Sequence, residues 1–263
     1  MTQLRASPSG SLRGVIRVPG DKSISHRALI LGALAVGDTH ISGLLESEDV
    51  LCTAAALRAL GAHIERLGGS AWKVSGLGIG GLREPSTVLD LGNSGTGVRL
   101  LMGVAAAHSF PTFFTGDASL IQRPMTRVAH PLSRMGANIL ARSNGCLPLV
   151  VTGAESLVPI AYELPVPSAQ VKSAILLAGI SAPGETTVIE PQATRDHTER
   201  LLRRFGANVR TEALGNGNRV TVVGEPELVP AAVDVPGDTS SAAFAVVAAL
   251  LTPDSEVRIE GVG

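Results

Sequence analysis

The sequence predicts an α/β fold built from a repeated unit of about 72 residues. Three segments, starting at Leu57, Leu132 and Leu202, share the pattern L-x-x-Φ-G-A-x-Φ, where Φ is a large apolar residue. Four apolar helical runs each open on a serine-rich polar turn: 23–36, 94–107, 168–180 and 240–251. Hydrophobic residues make up 44% of the 263 residues and charged residues only 17%, which predicts that most faces of each element are buried.

Each element of the unit has its own sequence signal. In the shared pattern, the two large apolar residues lie on one helix face, and the glycine predicts a left-handed helix end before a strand. The glycines are Gly61, Gly136 and Gly206. The serine turns predict helix starts, because serine accepts hydrogen bonds from free backbone N–H groups. Interleaving the two series gives the order helix, strand, helix, strand, strand, with 15–18 and 220–223 among the strand candidates.

The repeats also predict a domain organisation. Three units are complete, whereas the fourth begins at Ser240 and the sequence reaches Gly263 before a second helix. The segment V-P-G-D-K-S at 18–23 recurs as V-P-G-D-T-S at 235–240. We interpret the two copies as the points where the chain crosses between two domains, with Pro-Gly as turn punctuation. We therefore expect a complete three-repeat domain over 12–234, with 1–11 and 235–263 as fragments of a second domain whose remainder is absent.

Composition disfavours several classes of protein. The net charge is −1, without the basic excess that nucleic-acid binding requires, so we expect no nucleic-acid partner. Apolar runs such as 241–251 are shorter than the roughly 20 residues of a membrane-spanning helix, so no membrane partner is expected. Two cysteines, Cys52 and Cys146, and no signal-peptide pattern predict a cytoplasmic protein. The histidine and cysteine spacings predict no metal site.

One glycine motif resembles a cofactor site but fails the structural test. The segment 76–81 matches G-x-G-x-x-G, yet Leu82-Arg-Glu-Pro85 follows it in place of an apolar helix. We interpret it as a flexible connection and expect no dinucleotide.

The helix starts predict anion-binding sites, because helix N-termini present unpaired N–H groups and a partial positive charge. A cation follows one turn into three of them, at Arg27, Arg99 and Lys172, whereas the fourth has Phe244. Lys22, Ser23 and Arg27 form the foremost candidate. The alternative is that the serines are ordinary N-caps and the cations lie in solvent.

Three further side chains have local interpretations. Arg123, held extended before Pro124, suits a carboxylate or phosphate; alternatively it is a solvated loop arginine. His26 is interpreted as a structural histidine beside Arg27, although a place in the pocket stays open. Asp49 is predicted to be a helix N-cap.

These segments resemble the 5-enolpyruvylshikimate-3-phosphate synthase family, in the divergent bacterial type. Five motifs occur in the family's order: PGDKSISHR at 19–27, LGNSGTGVR at 91–99, GDASLIQRP at 116–124, VPSAQVKS at 166–173 and TRDHTE at 194–199. The resemblance implies an inverted α/β barrel of βαβαββ repeats, with one complete three-repeat domain here and the start of a second. It places the active site between the two domains.

The resemblance also implies residue roles. Shikimate 3-phosphate would be bound by Lys22, Ser23, Arg27, Ser168, Ala169, Gln170 and Arg195. Phosphoenolpyruvate would be bound by Lys22, Asn93, Gly95, Arg123 and Gln170. Gly95 would leave room for the phosphoenolpyruvate-mimicking herbicide glyphosate.

The implied reaction transfers the enolpyruvyl group from phosphoenolpyruvate to the 5-hydroxyl of shikimate 3-phosphate and releases phosphate, in aromatic amino-acid biosynthesis. It requires no cofactor, and the full-length enzyme is expected to be a monomer. The catalytic acid and base are expected beyond Gly263, so we expect the chain alone to be inactive.

Two further interpretations compete with this function. A non-catalytic, half-length module that binds a phosphorylated ligand stays open. The related transferase that acts on UDP-N-acetylglucosamine is disfavoured, because Ser23 rather than asparagine follows Lys22, and neither cysteine lies within 119–126.

Overall fold

The computed structural model describes residues 5, 7 and 10–263. Seven helices lie in this part of the chain: α1 Lys22–Leu34, α2 Glu48–Ala59, α3 Gly95–Ala105, α4 Thr126–Arg134, α5 Ala169–Gly179, α6 His197–Arg204 and α7 Thr239–Leu251. Its strands are β1 Arg13–Arg17, β2 Val36–Ser42, β3 His63–Gly68, β4 Ala71–Leu77, β5 Leu89–Asp90, β6 Pro111–Thr115, β7 Asn138–Ala141, β8 Leu149–Thr152, β9 Ala161–Glu163, β10 Glu185–Glu190, β11 Val209–Leu214, β12 Gly217–Val223, β13 Val233–Asp234 and β14 Glu256–Glu260. Within the described residues, none of the helices combines the length and apolar character needed to cross a membrane.

Three four-stranded sheets share one topology. Their strand orders are β13-β2-β4-β3, β5-β6-β8-β7 and β9-β10-β12-β11. In each sheet the first two strands are parallel and the other pairings are antiparallel. The predicted order of helix, strand, helix, strand, strand is therefore confirmed, with one addition. A leading strand precedes the first helix of each unit. Strand β1, which overlaps the predicted strand 15–18, has five residues, whereas β5, β9 and β13 have two or three and are too short to show an alternating pattern in sequence.

The leading strands of the first and fourth units are exchanged. Strand β1 precedes α1, but it pairs in parallel with β14, from Arg13 opposite Glu256 to Arg17 opposite Glu260. Strand β13 precedes α7, but it pairs in parallel with β2 of the first unit. Because β1 lies inside the range 12–234 and its partner lies outside, the pairing favours a domain boundary after β1. The division into two domains stays a prediction.

The two V-P-G-D segments lie side by side. The backbone N–H of Asp21 donates to the carbonyl oxygen of Pro236 at 2.7 Å, and that of Asp238 donates to Pro19 at 2.8 Å. An isolated bridge between Gly20 and Gly237 lies between these bonds. The two copies of the motif therefore contact each other reciprocally where the chain changes sheet.

Small aliphatic side chains fill the core around α1, α3 and α5. Helix α3 packs along α5, and α1 packs on α2, α6 and β4. The second helices of the three units end at Gly61, Gly136 and Gly206, whose φ angles are +98°, +108° and +91°. This confirms the predicted left-handed helix ends.

Gly76 corrects the interpretation of 76–81 as a flexible connection. Gly76 lies in β4, and a Cβ atom there would stand 2.1 Å from the carbonyl oxygen of Gly32 and 2.2 Å from that of Ala35. The glycine is therefore needed for the close contact between β4 and α1.

Candidate functional site

The start of α1 carries the first predicted group. The Asp21 side chain caps the helix, accepting a hydrogen bond from the backbone N–H of Ile24 at 2.8 Å. Lys22 Nζ forms an ion pair with Asp49 Oδ2, and the Lys22 side chain is 44% exposed. The prediction that Asp49 caps α2 was wrong, because Ser47 is the N-cap residue and Asp49 lies in the first turn. Asp49 instead balances the charge of Lys22.

Arg27 is buried and joins three helices. Its Nε donates to Thr198 Oγ1 of α6 at 2.6 Å, and its Nη2 donates to Ser173 Oγ of α5 at 2.7 Å. Its Nη1 donates to the backbone carbonyl of Ser23 at 2.8 Å. Burial lowers the pKa of Arg27 to about 10, so the guanidinium stays charged at neutral pH. Because these three acceptors are neutral, they orient the positive charge without cancelling it.

His26 packs between α1 and α2. Its Nδ1 lies 2.9 Å from Thr53 Oγ1, and within the described residues its buried Nε2 has no hydrogen-bond partner. Burial, reinforced by the charges of Lys22 and Arg27, lowers the pKa of His26 to about 3. The side chain is therefore neutral at physiological pH, and its surroundings favour the structural interpretation.

The start of α5 is linked to α3 through Gln170. Ser168 is the N-cap of α5 and accepts from the backbone N–H of Val171 at 3.4 Å. The Gln170 Oε1 atom accepts from Arg99 Nη1 at 3.0 Å, and its Nε2 donates to Thr96 Oγ1 at 2.9 Å. Both ends of the Gln170 amide are thus fixed by α3.

Lys172 departs from its interpretation as a helix-start cation that serves an anion site. The side chain is 1% exposed, and its Nζ lies 2.9 Å from Glu190 Oε2 and 2.6 Å from Glu199 Oε1. Burial raises the pKa of Glu199, while Lys172 acts in the opposite direction. The Lys172 charge is therefore satisfied inside the third unit.

Gly95, at the start of α3, lies against two guanidinium groups. A Cβ atom on Gly95 would stand 2.9 Å from Arg99 Nη1 and 3.1 Å from Arg123 Nη1. Burial lowers the pKa of Arg99, and the positive charges of Arg127 and Arg123 lower it further. Such a concentration of positive charge at a helix N-terminus suits an anionic ligand.

Arg123 is held by its neighbours. Its Nη2 donates to Asn93 Oδ1 at 2.5 Å and to Ser119 Oγ at 3.0 Å. The Asn93 amide in turn donates from Nδ2 to Asp117 Oδ2 at 2.7 Å. The arginine is therefore not a freely solvated loop residue.

A comparison with known protein families covers nearly the whole chain. The family model described as EPSP synthase (3-phosphoshikimate 1-carboxyvinyltransferase) matches residues 6–263. The chain belongs to the EPSP synthase family. The resemblance to this family that the five motifs indicated is confirmed.

Curated relatives of this family are longer than the chain. A 3-phosphoshikimate 1-carboxyvinyltransferase of Paramagnetospirillum magneticum is 62% identical over 264 residues, covering 100% of this chain and 58% of the relative. One from Parvibaculum lavamentivorans is 60% identical, with 99% of this chain and 58% of the relative covered. The chain thus spans under two thirds of the relatives it matches.

A solved structure confirms the fold class. The EPSP synthase of Acinetobacter baumannii superposes with a TM-score of 0.90 at 48% identity, covering 97% of this chain and 57% of that one. The chain therefore has the enolpyruvyl transferase fold of βαβαββ units.

The structure links the starts of α1, α3 and α5, which carry several of the predicted site residues, by hydrogen bonds, whereas Lys22 and Arg123 have separate partners. Arg27 reaches α5 through Ser173, and Gln170 reaches α3 through Arg99, so the starts of α1, α3 and α5 are linked by hydrogen bonds. Arg195 lies just before α6 and lines a cavity of about 410 Å³ with Asp21, His197, Arg200 and Thr239. Its charge contributes to lowering the pKa of Arg27. Arg195 therefore lies on the α1 side of the linked helix starts.

Among the contributing residues missed or misread from sequence are Asp49, Asp117, Ser173 and Thr198. Three of them lie within the five family motifs or directly at a motif's end, which was the available signal. Their partners lie 24 to 171 positions away along the chain, so no local pattern identified the contacts.

Proposed function

We propose that this chain holds shikimate 3-phosphate and phosphoenolpyruvate in an enzyme that transfers the enolpyruvyl group between them. The observation that carries the proposal is the linked group of cations at the starts of α1 and α3. Two strongly anionic substrates require such a group, and the relatives are named for this reaction.

The shikimate 3-phosphate site is assigned to the starts of α1 and α5 and the turn before α6. It comprises Lys22, Ser23, Arg27, Ser168, Ala169, Gln170 and Arg195. Arg27 supports the assignment because neutral partners hold its guanidinium in place. Arg195 adds a second guanidinium on the same side. A phosphate here would accept hydrogen bonds from the backbone N–H groups of the helix starts as well as from the cationic side chains.

The phosphoenolpyruvate site is assigned to the group around Gly95. It comprises Lys22, Asn93, Gly95, Arg123 and Gln170. Gly95 allows an anion to approach the helix backbone, and Arg123 Nη1 faces the same space. The Gln170 amide, fixed by Arg99 and Thr96, joins this site to the first one.

The proposed reaction is an addition followed by an elimination. The 5-hydroxyl oxygen of shikimate 3-phosphate attacks C2 of phosphoenolpyruvate, and C3 takes up a proton to give a tetrahedral intermediate. The hydroxyl proton passes to a base. Loss of a proton from the C3 methyl group with cleavage of the bond between C2 and the phosphate oxygen then releases phosphate and leaves the enolpyruvyl ether. Fixed cations favour this path because negative charge on the carboxylate and departing phosphate stays close to them.

Proton transfer is assigned to residues other than those in the linked group of cations at the starts of α1 and α3. Asp49 is engaged with Lys22, and Asp117 accepts hydrogen bonds from Asn93 and two backbone N–H groups. Carboxylates engaged in this way are poorly suited to shuttle protons. We therefore assign this chain the part that holds and polarises the substrates.

Calorimetric titration of the chain with shikimate 3-phosphate tests this function. We expect Lys22→Ala and Arg27→Ala each to weaken binding at least about tenfold, because each removes a charged contact to phosphate. Lys73→Ala is the matched control, since Lys73 also pairs with carboxylates but lies on β4 away from the helix starts.

The outcomes separate the hypotheses. Equal affinity in all variants, or no binding by the unsubstituted chain, would contradict the assigned site. A parallel assay of phosphate release with phosphoenolpyruvate tests turnover. Binding without turnover fits a substrate-holding part or the non-catalytic module, whereas phosphate release would show that this chain already contains the acid and base.

Gly95→Ala tests the phosphoenolpyruvate site and the expected binding of glyphosate. The added methyl group would crowd Arg99 and Arg123, so we expect both phosphoenolpyruvate and glyphosate to bind at least about tenfold more weakly in the presence of shikimate 3-phosphate. Gly80→Ala is the control, because a Cβ there meets no atom within 4 Å. Unchanged affinities in Gly95→Ala would place both ligands elsewhere.

A further inference from the structure

We propose that Asp117 is a positioning residue that holds Arg123 through the amide of Asn93 and leaves the charge of Arg123 available to a ligand. The choice of phosphoenolpyruvate as that ligand rests on the proposed function. The positioning of Arg123 does not, and it is testable without any ligand.

The two carboxylate oxygens of Asp117 do different things. Its Oδ1 accepts from the backbone N–H groups of Ser119 at 3.0 Å and Leu120 at 2.7 Å, which fixes the turn before a short 3-10 helix. One oxygen is enough for such a turn. Its Oδ2 accepts from Asn93 Nδ2 at 2.7 Å, across 24 positions of sequence. The second contact is therefore additional to what the local turn requires.

This second contact determines which way the Asn93 amide faces. An ionised carboxylate only accepts hydrogen bonds, so Asn93 must present its NH₂ group to Asp117. Its carbonyl oxygen, Oδ1, then faces Arg123 and accepts from Nη2 at 2.5 Å. Ser119 Oγ accepts from the same nitrogen at 3.0 Å. Asp117 thus fixes the Nη2 edge of the Arg123 guanidinium in two ways. It orients the Asn93 amide, and it stabilises the turn that places Ser119.

The neutral amide keeps the carboxylate away from the guanidinium. No Asp117–Arg123 ion pair within 4.0 Å is present in the part of the chain that the structure describes, in contrast to the direct pair of Lys22 and Asp49. Coulomb attraction weakens with distance and exposure to water, so Asp117 compensates Arg123 only weakly. The opposite edge of Arg123, at Nη1, faces Gly95. The arginine is therefore held at one edge and presents its charge at the other.

Asp117→Asn separates the two roles of the side chain. The asparagine oxygen still accepts from the backbone of Ser119 and Leu120, so the turn is kept. Its NH₂ group cannot accept from the Asn93 NH₂ group, so the link to Arg123 is lost. Asp90→Asn is the matched control: Asp90 Oδ1 accepts from the backbone N–H of Gly92 at 2.9 Å, and the change removes one negative charge nearby without touching the Asn93 side chain. Thermal unfolding of both variants verifies that they fold.

The first readout is the order of the Arg123 side chain, measured as the ¹⁵N heteronuclear NOE of its Nε–Hε group and assigned with Arg123→Lys. We expect a high NOE in the unsubstituted chain and in Asp90→Asn. In Asp117→Asn we expect it to fall to the level of solvent-exposed arginines in the same spectrum. An unchanged NOE in Asp117→Asn would overturn the proposal whatever the chain binds.

The second readout is affinity for phosphoenolpyruvate in the presence of saturating shikimate 3-phosphate. We expect Asp117→Asn to raise the Kd for phosphoenolpyruvate about tenfold, as for one lost charge-assisted contact, while the Kd for shikimate 3-phosphate stays within about twofold. Equal weakening in Asp117→Asn and Asp90→Asn would overturn the proposal, because loss of charge would then explain the effect. If the unsubstituted chain binds no phosphoenolpyruvate, the proposed function fails, and the NOE alone decides the role of Asp117.

Discussion

The same V-P-G-D-x-S segment leads into helices α1 and α7, which have the same length. Helix α1 is nevertheless largely buried, whereas α7 is largely exposed. Each has 13 residues and an aspartate N-cap. Ten residues of α1 are buried, whereas Ala242 is the buried residue of α7. At the position four residues after the serine, Arg27 is 4% exposed and Phe244 is 82% exposed. Within this chain, which spans 58% of its relatives, the charged side chain is inside and the aromatic ring outside.

The difference shows that the local sequence determines where a helix begins, while its neighbours determine what it buries. Helix α1 packs against α2, α6 and β4, and Ser173 and Thr198 satisfy its arginine. Helix α7 packs mainly on β14. A repeated motif therefore predicts a repeated helix start, but not a repeated environment.

The largest effect is expected at Lys172, which holds the same position in α5. Lys172→Met leaves Glu190 and Glu199 buried without their shared cation, so we expect a loss of about 3–5 kcal/mol in the free energy of unfolding, measured with urea. Phe244→Met, at the matching position of α7, should change it by less than about 0.5 kcal/mol. Similar urea midpoints for the two variants would remove the distinction drawn here.

A smaller effect is expected from pH at His26, whose counterpart in α7 is Ala243. The folded-state pKa of His26 is about 3, below the ordinary 6.5, so on acidification the unfolded chain takes up the proton first. Its contribution to stability is therefore full above about pH 6.5 and is lost as the pH falls towards 3.

Between about pH 7.5 and about pH 5, protonation of His26 in the unfolded chain should lower the free energy of unfolding by roughly 2 kcal/mol. His26→Gln should flatten the decline by that amount, measured by urea unfolding at each pH. His40→Gln, the same substitution at an exposed histidine, is the control. An unchanged slope in His26→Gln would show that the imidazole is not held neutral in the fold.

The smallest effects are expected at the two helix caps. Asp21→Ala should destabilise the chain by about 1 kcal/mol, because the N–H it frees lies at the start of a packed helix. Asp238→Ala should cost about 0.5 kcal/mol, because water reaches the N–H groups of Ser240 and Ser241 at the start of an exposed helix and the third contact, from the Lys22 N–H, is long at 3.4 Å. A larger cost for Asp238→Ala would show that local capping outweighs packing.

Sequence patterns predicted the helix starts and ends because capping is local chemistry. A serine turn and a G-A stop act within one or two helical turns. The G-A stops lie where expected, and Ser94 and Ser168 cap α3 and α5, whereas the caps of α1 and α7 are the aspartates Asp21 and Asp238 and not the predicted serines. The exchange of β1 and β13 was not predicted, since β13 has two residues and its partner β2 begins almost 200 positions earlier. Pairing over such a distance leaves no periodic signal in either strand.

The candidate site was predicted less completely than the fold. The motifs identified Arg27 and Arg123, but not what holds them, because Thr198 and Asn93 meet them only through the tertiary structure. Lys172 was misread for the same reason: its position in α5 matches that of Arg27 in α1, and only the fold shows its two glutamate partners. Charge at a helix start is visible in sequence, whereas its compensation is not.

The exchange of β1 and β13 has a mechanical consequence. Two segments of the chain, 18–21 and 235–238, run next to each other between the β1–β14 pair and the three larger sheets. Reciprocal hydrogen bonds at Asp21 and Asp238 hold these segments together. Each segment contains a proline, which restricts one backbone rotation. A single tether would permit both swivelling and bending. Two adjacent tethers joined by reciprocal hydrogen bonds restrict torsion more than a single tether would.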